Sequence, residues 1–181
     1  MGLARVTIGE NVAYTAQFEQ WIPLPVAQVF EFFGNPKNLP RIMPGWMHLR
    51  VDQMSIVPPP DAPRDRKLAG TGSLVTVSFR PIPFLPFRLR TRADIIGFAM
   101  NQFFEDTHAH SDPLFKNWHH RHEFAAENRA GVPGTIVRDV VTYELAFGPL
   151  SPAVNALFVA GQMRRTFEFR QRVVERLLPR L

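Results

Sequence analysis

The stretch AVNALFVAGQMRRTFEFRQRVVERLL, residues 153–178, decides how this chain is assembled. It is long, free of proline and amphipathic. Leu157, Ala160, Gly161, Met163, Phe167, Val174 and Leu178 predict a broad apolar stripe along one helix. Ser151, with Pro152 at the first helical position, supplies the start signal. Arg164, Arg165, Arg170, Arg172, Arg176 and Arg180 are expected on its solvated face. Such a helix must bury its stripe against another layer.

The residues upstream supply that layer. A strand is expected over 12–22, then a helix over 26–33 with Val26, Val29, Phe30 and Phe33 on one stripe, then a short helix over 36–42. From there the periodicity is two. Strands are expected at 46–56, 72–80, 87–97, about 102–109, about 116–127 and 135–147. Short connections between them imply antiparallel hairpins. The predicted class is α+β: a curved seven-stranded antiparallel sheet wrapped around the long C-terminal helix, with two short helices after the first strand. One domain is expected over 1–181.

The 181 residues are 45% hydrophobic and 20% charged, a globular balance. Cysteine is absent, which excludes disulfides, thiolate metal sites and a cysteine nucleophile and fits a reducing cytoplasm. No apolar run is long enough to span a bilayer and no signal-peptide core is visible, so a cytoplasmic location is expected. The net charge is +5, but the basic residues are dispersed and no nucleic-acid-binding signature accompanies them. No nucleic-acid partner is expected. GTGSLV (70–75) lacks the third glycine and following helix of a dinucleotide fingerprint, and HEFAA (122–126) lacks the second histidine of a zinc-protease motif.

The chemistry concentrates in WHHRHEF, residues 118–124. On a strand, alternate residues share a face. Trp118, His120, His122 and Phe124 then point one way, and the polar set Asn117, His119, Arg121 and Glu123 the other. The same parity groups Phe104, Asp106 and His108 on one strand, and Thr135, Val137, Asp139, Val141 and Tyr143 on another. If these three strands are adjacent, one inner surface gathers Asp106, His108, His120, His122, Asp139 and Tyr143 among aromatics.

The layout resembles the START/Bet v 1-like (SRPBCC, polyketide cyclase/dehydrase-like) superfamily, and within it a bacterial ligand-binding subgroup, some of whose members carry a cell-division-inhibitor label. The matching stretches are FEQWIPLPVAQVFEFFGNPKNLPRIMP (18–44), FFEDTHAHSDPLFKNWHHRHEF (103–124) and GTIVRDVVTYEL (134–145). Phe104, Asp106, Pro113, Trp118, His120, His122, Phe124, Gly134, Thr135, Asp139 and Tyr143 fit the subgroup's pattern. His108 stands where it has glutamine, and Asp112 where it has glycine. The resemblance implies a helix-grip fold and binding of a hydrophobic small molecule or lipid, for transport or sequestration. Alternatives are a cyclase/dehydrase- or hydrolase-like enzyme with an inward histidine as general base, and a regulatory interaction module.

For the inward cluster three readings stand together. The histidines form a structural network with the acids and tyrosine. They orient the polar end of an apolar ligand. Or, as two histidines at i, i+2 with an acid, they serve metal or acid–base chemistry, although no third histidine motif completes a ligand set. The expected ligand-binding residues are His120, His122, Asp106, Asp139, Tyr143, Trp118, Phe104, His108, Val141, Leu157 and Phe167. No catalytic residue, metal or cofactor is assigned. Val75, Val77, Phe79, Leu89 and Met163 are further lining candidates, and loops 57–70 and 80–86 are candidate gates.

Overall fold

The computed structural model describes residues 3–8, 11–60, 67–82, 86–108, Asp112 and 114–178. Its centre is one antiparallel sheet of eight strands: β1 (Leu3–Ile8), β2 (Asn11–Ile22), β3 (Arg50–Ser55), β4 (Leu74–Phe79), β5 (Leu89–Ala99), β6 (Phe103–His108), β7 (Phe115–Arg129) and β8 (Val132–Leu145). The seven expected strands are present. The eighth is β1, which pairs with β2 and extends the sheet at that edge. In space the order is β1-β2-β8-β7-β6-β5-β4-β3. After β2 the chain crosses to the far edge through α1 (Val26–Gly34), a 3₁₀ turn (Pro36–Asn38) and α2 (Leu39–Ile42), then returns hairpin by hairpin until β8 lies beside β2.

Local sequence explains the corners. Pro25 sits at the N-terminal cap of α1, where a missing N–H costs nothing. Ala130 and Gly131 both have positive φ, 47° and 79°, and form the two-residue turn between Arg129 and Val132. Register shifts at Val51/Gln53, Ile95/Gly97 and Phe115/Asn117 are bulges that bend the strands and help curve the sheet. The expected strand over 46–56 is shorter at its start. Gly45–Met47 is a 3₁₀ turn and His48 has a φ of 44°, so pairing begins only at Arg50.

The Gly-Thr pair of the matched pattern has a structural use. A Cβ on Gly134 would come within 2.5 Å of the Trp21 indole, whose Nε1 donates to the Glu127 carbonyl. Thr135 Oγ1 donates to the Leu24 carbonyl, 2.7 Å away. Together they lock β2 and its exit loop onto β8.

The concave face holds the C-terminal helix, and this is the expected helix-grip arrangement. It runs as α3 (Ser151–Val154), a π-helical turn (Asn155–Val159) and α4 (Ala160–Leu177), with right-handed helical backbone at each junction. Two apolar clusters pin it to the sheet. Val174 and Leu178 pack with Val29, Phe30, Phe124 and Val137. Met163 and Phe167 pack with Tyr14, Phe18, Val141 and Tyr143, and the Phe18 and Phe167 rings stack at 4.1 Å. Among the described residues no helix is long and apolar enough to cross a membrane.

Two positions on this helix differ from the expected stripe. Leu157 is 88% exposed and faces solvent rather than the sheet. The inward position of that turn belongs to Asn155, whose Oδ1 accepts a 2.7 Å hydrogen bond from the Tyr143 hydroxyl. Arg170, expected on the solvated face, is buried. It falls three residues after Phe167 and four before Val174, on the inner stripe itself.

Candidate functional site

Between the concave face and the helix lies a cavity of about 310 Å³. Of the expected lining residues, Val75, Val77, Phe79, Phe104, Asp106, His108, Trp118, His120, His122, Met163 and Phe167 border it. Four others do not. Leu157 points away, Val141 and Tyr143 are fully buried in the core cluster, and Leu89 lies outside the lining. Asp139 is also behind the wall rather than in it. The proposed gate loops fall partly outside the described residues (61–66 and 83–85). Ala69 and Pro81, on their described parts, border the cavity.

Register brings the polar residues together as strand parity predicted. Asp106 pairs with His120 across β6 and β7, and His122 with Asp139 across β7 and β8. His119, Arg121 and Glu123 project from the other face into exposed or half-buried ion pairs with Glu105 and with one another. His120 and His122 are buried, with ring centroids 3.8 Å apart.

Asp139 is the hub behind them. Its Oδ1 lies 2.5 Å from His122 Nδ1, 3.2 Å from His120 Nε2 and 3.5 Å from Arg170 Nη2. Burial alone would raise this carboxyl. The Arg170 charge and the hydrogen bonds from both histidines outweigh burial and hold it well below the usual carboxylate range. Burial, reinforced by the neighbouring His120, pushes His122 down to about 4, so it is neutral at pH 7. A neutral imidazole nitrogen 2.5 Å from a carboxylate oxygen must carry the proton, which assigns the His122 tautomer as Nδ1–H.

On the cavity side the picture inverts. His120 Nδ1 and His122 Nε2 each lie 3.9 Å from Asp106 Oδ2, too far for a hydrogen bond. Nearby, His108 stacks on Trp118 at 4.6 Å, and its Nδ1 is 3.0 Å from Asp112 Oδ2. Asp112 also accepts from Thr91 Oγ1 and from the Leu114 and Phe115 backbone N–H groups. Burial would raise the Asp112 carboxyl, but the bonds from His108, Thr91 and those two amides bring it down to about 2. The two departures from the matched pattern, His108 and Asp112, thus answer each other across the loop.

Arg170 borders the cavity and Asn155 braces Tyr143 behind it; neither is legible in the sequence as a site residue. The signal for Arg170 was its place in the i, i+3, i+7 series Phe167, Arg170, Val174. Asn155 is set by a π-turn, for which the sequence holds no signal we can name.

The polyketide cyclase/dehydrase and lipid transport family model matches residues 22–171. No curated protein sequence matches the chain. Among solved structures, Ara h 8.0201 superimposes with a TM-score of 0.60 at 14% identity, covering 93% of this chain and 99% of its own. Norcoclaurine synthase from Thalictrum flavum gives 0.58 at 13%, covering 91% and 88%. Protein Ms6760 from Mycobacterium smegmatis gives 0.57 at 16%, covering 99% and 97%. At these identities the likeness concerns the fold.

Proposed function

The chain belongs to the polyketide cyclase/dehydrase and lipid transport family, and we propose that it is a cytoplasmic binder of an apolar small molecule or lipid with a polar oxygen-bearing end. The observation that carries this reading is the 310 Å³ cavity, walled mostly by aromatic and aliphatic side chains with a few polar groups, Asp106, His108, His120 and His122 among them. Phe104, Trp118 and Phe167 offer apolar contact. Trp118 Nε1 and Gln162 Nε2, on the cavity-lining residues, are buried donors without a hydrogen-bond partner among the described residues. A ligand carbonyl or carboxylate oxygen reaching either donor would remove the cost of leaving it unpaired.

The test is native mass spectrometry of the purified protein followed by delipidation and titration with a fatty-acid and aromatic-ketone panel. Trp118 fluorescence reports binding, with Trp118→Phe as the control for Trp21 and Trp46. A bound mass, or a saturable change lost in Trp118→Phe, supports the reading. Protein recovered empty that responds to no member of the panel refutes it.

One observation favours a second reading, an acid–base enzyme. His120 is held from behind by Asp139 through Nε2 and presents Nδ1 to the cavity, the arrangement of a positioned general base. Norcoclaurine synthase, by its name an enzyme, shares the fold. Under this reading His120→Ala abolishes turnover of any substrate found; unchanged turnover removes His120 as the base.

A further inference from the structure

We propose that Asp106, His120 and His122 form a binding site for a divalent transition ion of the borderline class, such as zinc or ferrous iron. Each of the three offers one ligand atom, and these atoms lie within 4.8 Å of one another. Two imidazoles and one carboxylate are a donor set that such ions favour.

Three observations point the same way. The first is orientation. Asp139 takes the rear nitrogen of each histidine, His120 Nε2 and His122 Nδ1, so their unprotonated nitrogens face forward. A carboxylate that fixes the tautomer of a ligating histidine is the usual support behind a metal ligand, and here one carboxylate serves two histidines.

The second is what lies in front. His120 Nδ1 and His122 Nε2 converge on Asp106 Oδ2, each at 3.9 Å. Asp106 is nine-tenths buried, and no N–H or O–H among the described residues donates to its carboxylate. Two lone pairs and an anion thus face one another with no donor between them. That arrangement is costly unless something positive, or a donor, sits at the focus.

The third is spacing. Two ligand atoms each about 2.1 Å from a tetrahedral ion stand about 3.4 Å apart, and each 3.9 Å edge to Asp106 is within about half an ångström of that spacing, with all three ligand atoms inside 4.8 Å of one another. Arg170, whose Nη2 lies 3.5 Å from Asp139 Oδ1 and 3.4 Å from His122 Nδ1, offsets the charge of Asp139, which leaves the charge of Asp106 for the ion. All three ligands border the cavity, so a remaining coordination position opens into it, as in metal sites that receive an exogenous oxygen donor. The sequence offered two histidines without a third histidine motif; the third ligand is the carboxylate supplied by β6.

The experiment uses untagged full-length protein, stripped with a chelator and free of added apolar ligand, so that it is independent of the binding reading above. Zn²⁺ is titrated by calorimetry and Co²⁺ by visible absorption. One equivalent should bind, with nitrogen coordination in the Co²⁺ spectrum. Asp106→Asn, which keeps the shape, should weaken Zn²⁺ at least tenfold, and Asp139→Asn by about 10–100-fold through loss of orientation. His119→Ala, on the opposite face of β7, should leave affinity unchanged. In the unmodified protein, one equivalent of Zn²⁺ should shift the ring nitrogen resonances of His120 and His122 but not those of His119 or His48, a readout that survives any folding defect in the variants. The proposal is overturned if the unmodified protein binds less than one equivalent, if its binding shifts His119 or His48 instead, or if folded Asp106→Asn binds as tightly.

Discussion

Replacing Arg170 by methionine keeps most of the stem between Phe33 and Phe167, over which the guanidinium lies at 4.8 and 5.5 Å, and removes the charge. Asp139 then loses its one fixed positive neighbour. At 3.5 Å and an effective dielectric of about 20, that attraction is about 5 kcal/mol. The variant recovers part of this, because a buried guanidinium no longer has to be stripped of water. Asp139 also keeps its two histidine donors. The expected loss is therefore about 3 kcal/mol, the low end for breaking a buried pair by removing one partner. Urea unfolding at pH 7 of the parent, Arg170→Met, Asp139→Asn and the double variant measures it. Each single variant strands one member of the pair, so the double should lose less than the sum of the singles by at least about 1 kcal/mol. A loss below 1 kcal/mol for Arg170→Met, or additive losses, would show that Arg170 does not compensate Asp139 and would refute the account of the site's electrostatics.

The remaining predictions concern packing, the β7–β8 turn and acid sensitivity. Leu157→Ala, at an exposed position, should change stability by no more than about 0.5 kcal/mol in the same assay, whereas a residue on the buried stripe would cost several times that. Phe167→Ala should cost about 3 kcal/mol, because the ring is buried and stacked on Phe18. Ala130→Gly should raise stability by about 1 kcal/mol, since φ of 47° strains any residue with a Cβ. Asp112, brought down to about 2 from 3.8, contributes stability that is complete above pH 4 and lost as pH falls through 2. Screening by solvent limits it to about 1–2 kcal/mol. Comparing urea midpoints at pH 5 and pH 2.5, Asp112→Asn should lose less between the two than the parent; an equal loss would remove Asp112 as a source of acid sensitivity.

The sequence by itself determined the order of elements from β2 onward, the class of the fold and the facing of the central strands. Period-two alternation in WHHRHEF placed His120 and His122 inward and His119 outward, because side chains on an extended chain have only two directions to choose from. The same parity carried Asp106 and Asp139 to the inner face. A helix has no such binary choice. A continuous 3.6-residue stripe could not anticipate the π-turn over Asn155–Val159, so Leu157 was placed inward where Asn155 stands. Arg170 was assigned to water by its charge, although its spacing put it on the buried side. That β8 lies beside β2, and how far apart side chains on neighbouring strands stand, belonged to tertiary structure alone. Asp106, His120, His122 and Asp139 come from three strands, and their mutual distances follow from register, bulges and curvature acting across the whole sheet. That long-range pairing, not the composition of any one segment, turned two histidines into a site with Asp139 behind it, Arg170 balancing the charge and Asp106 in front.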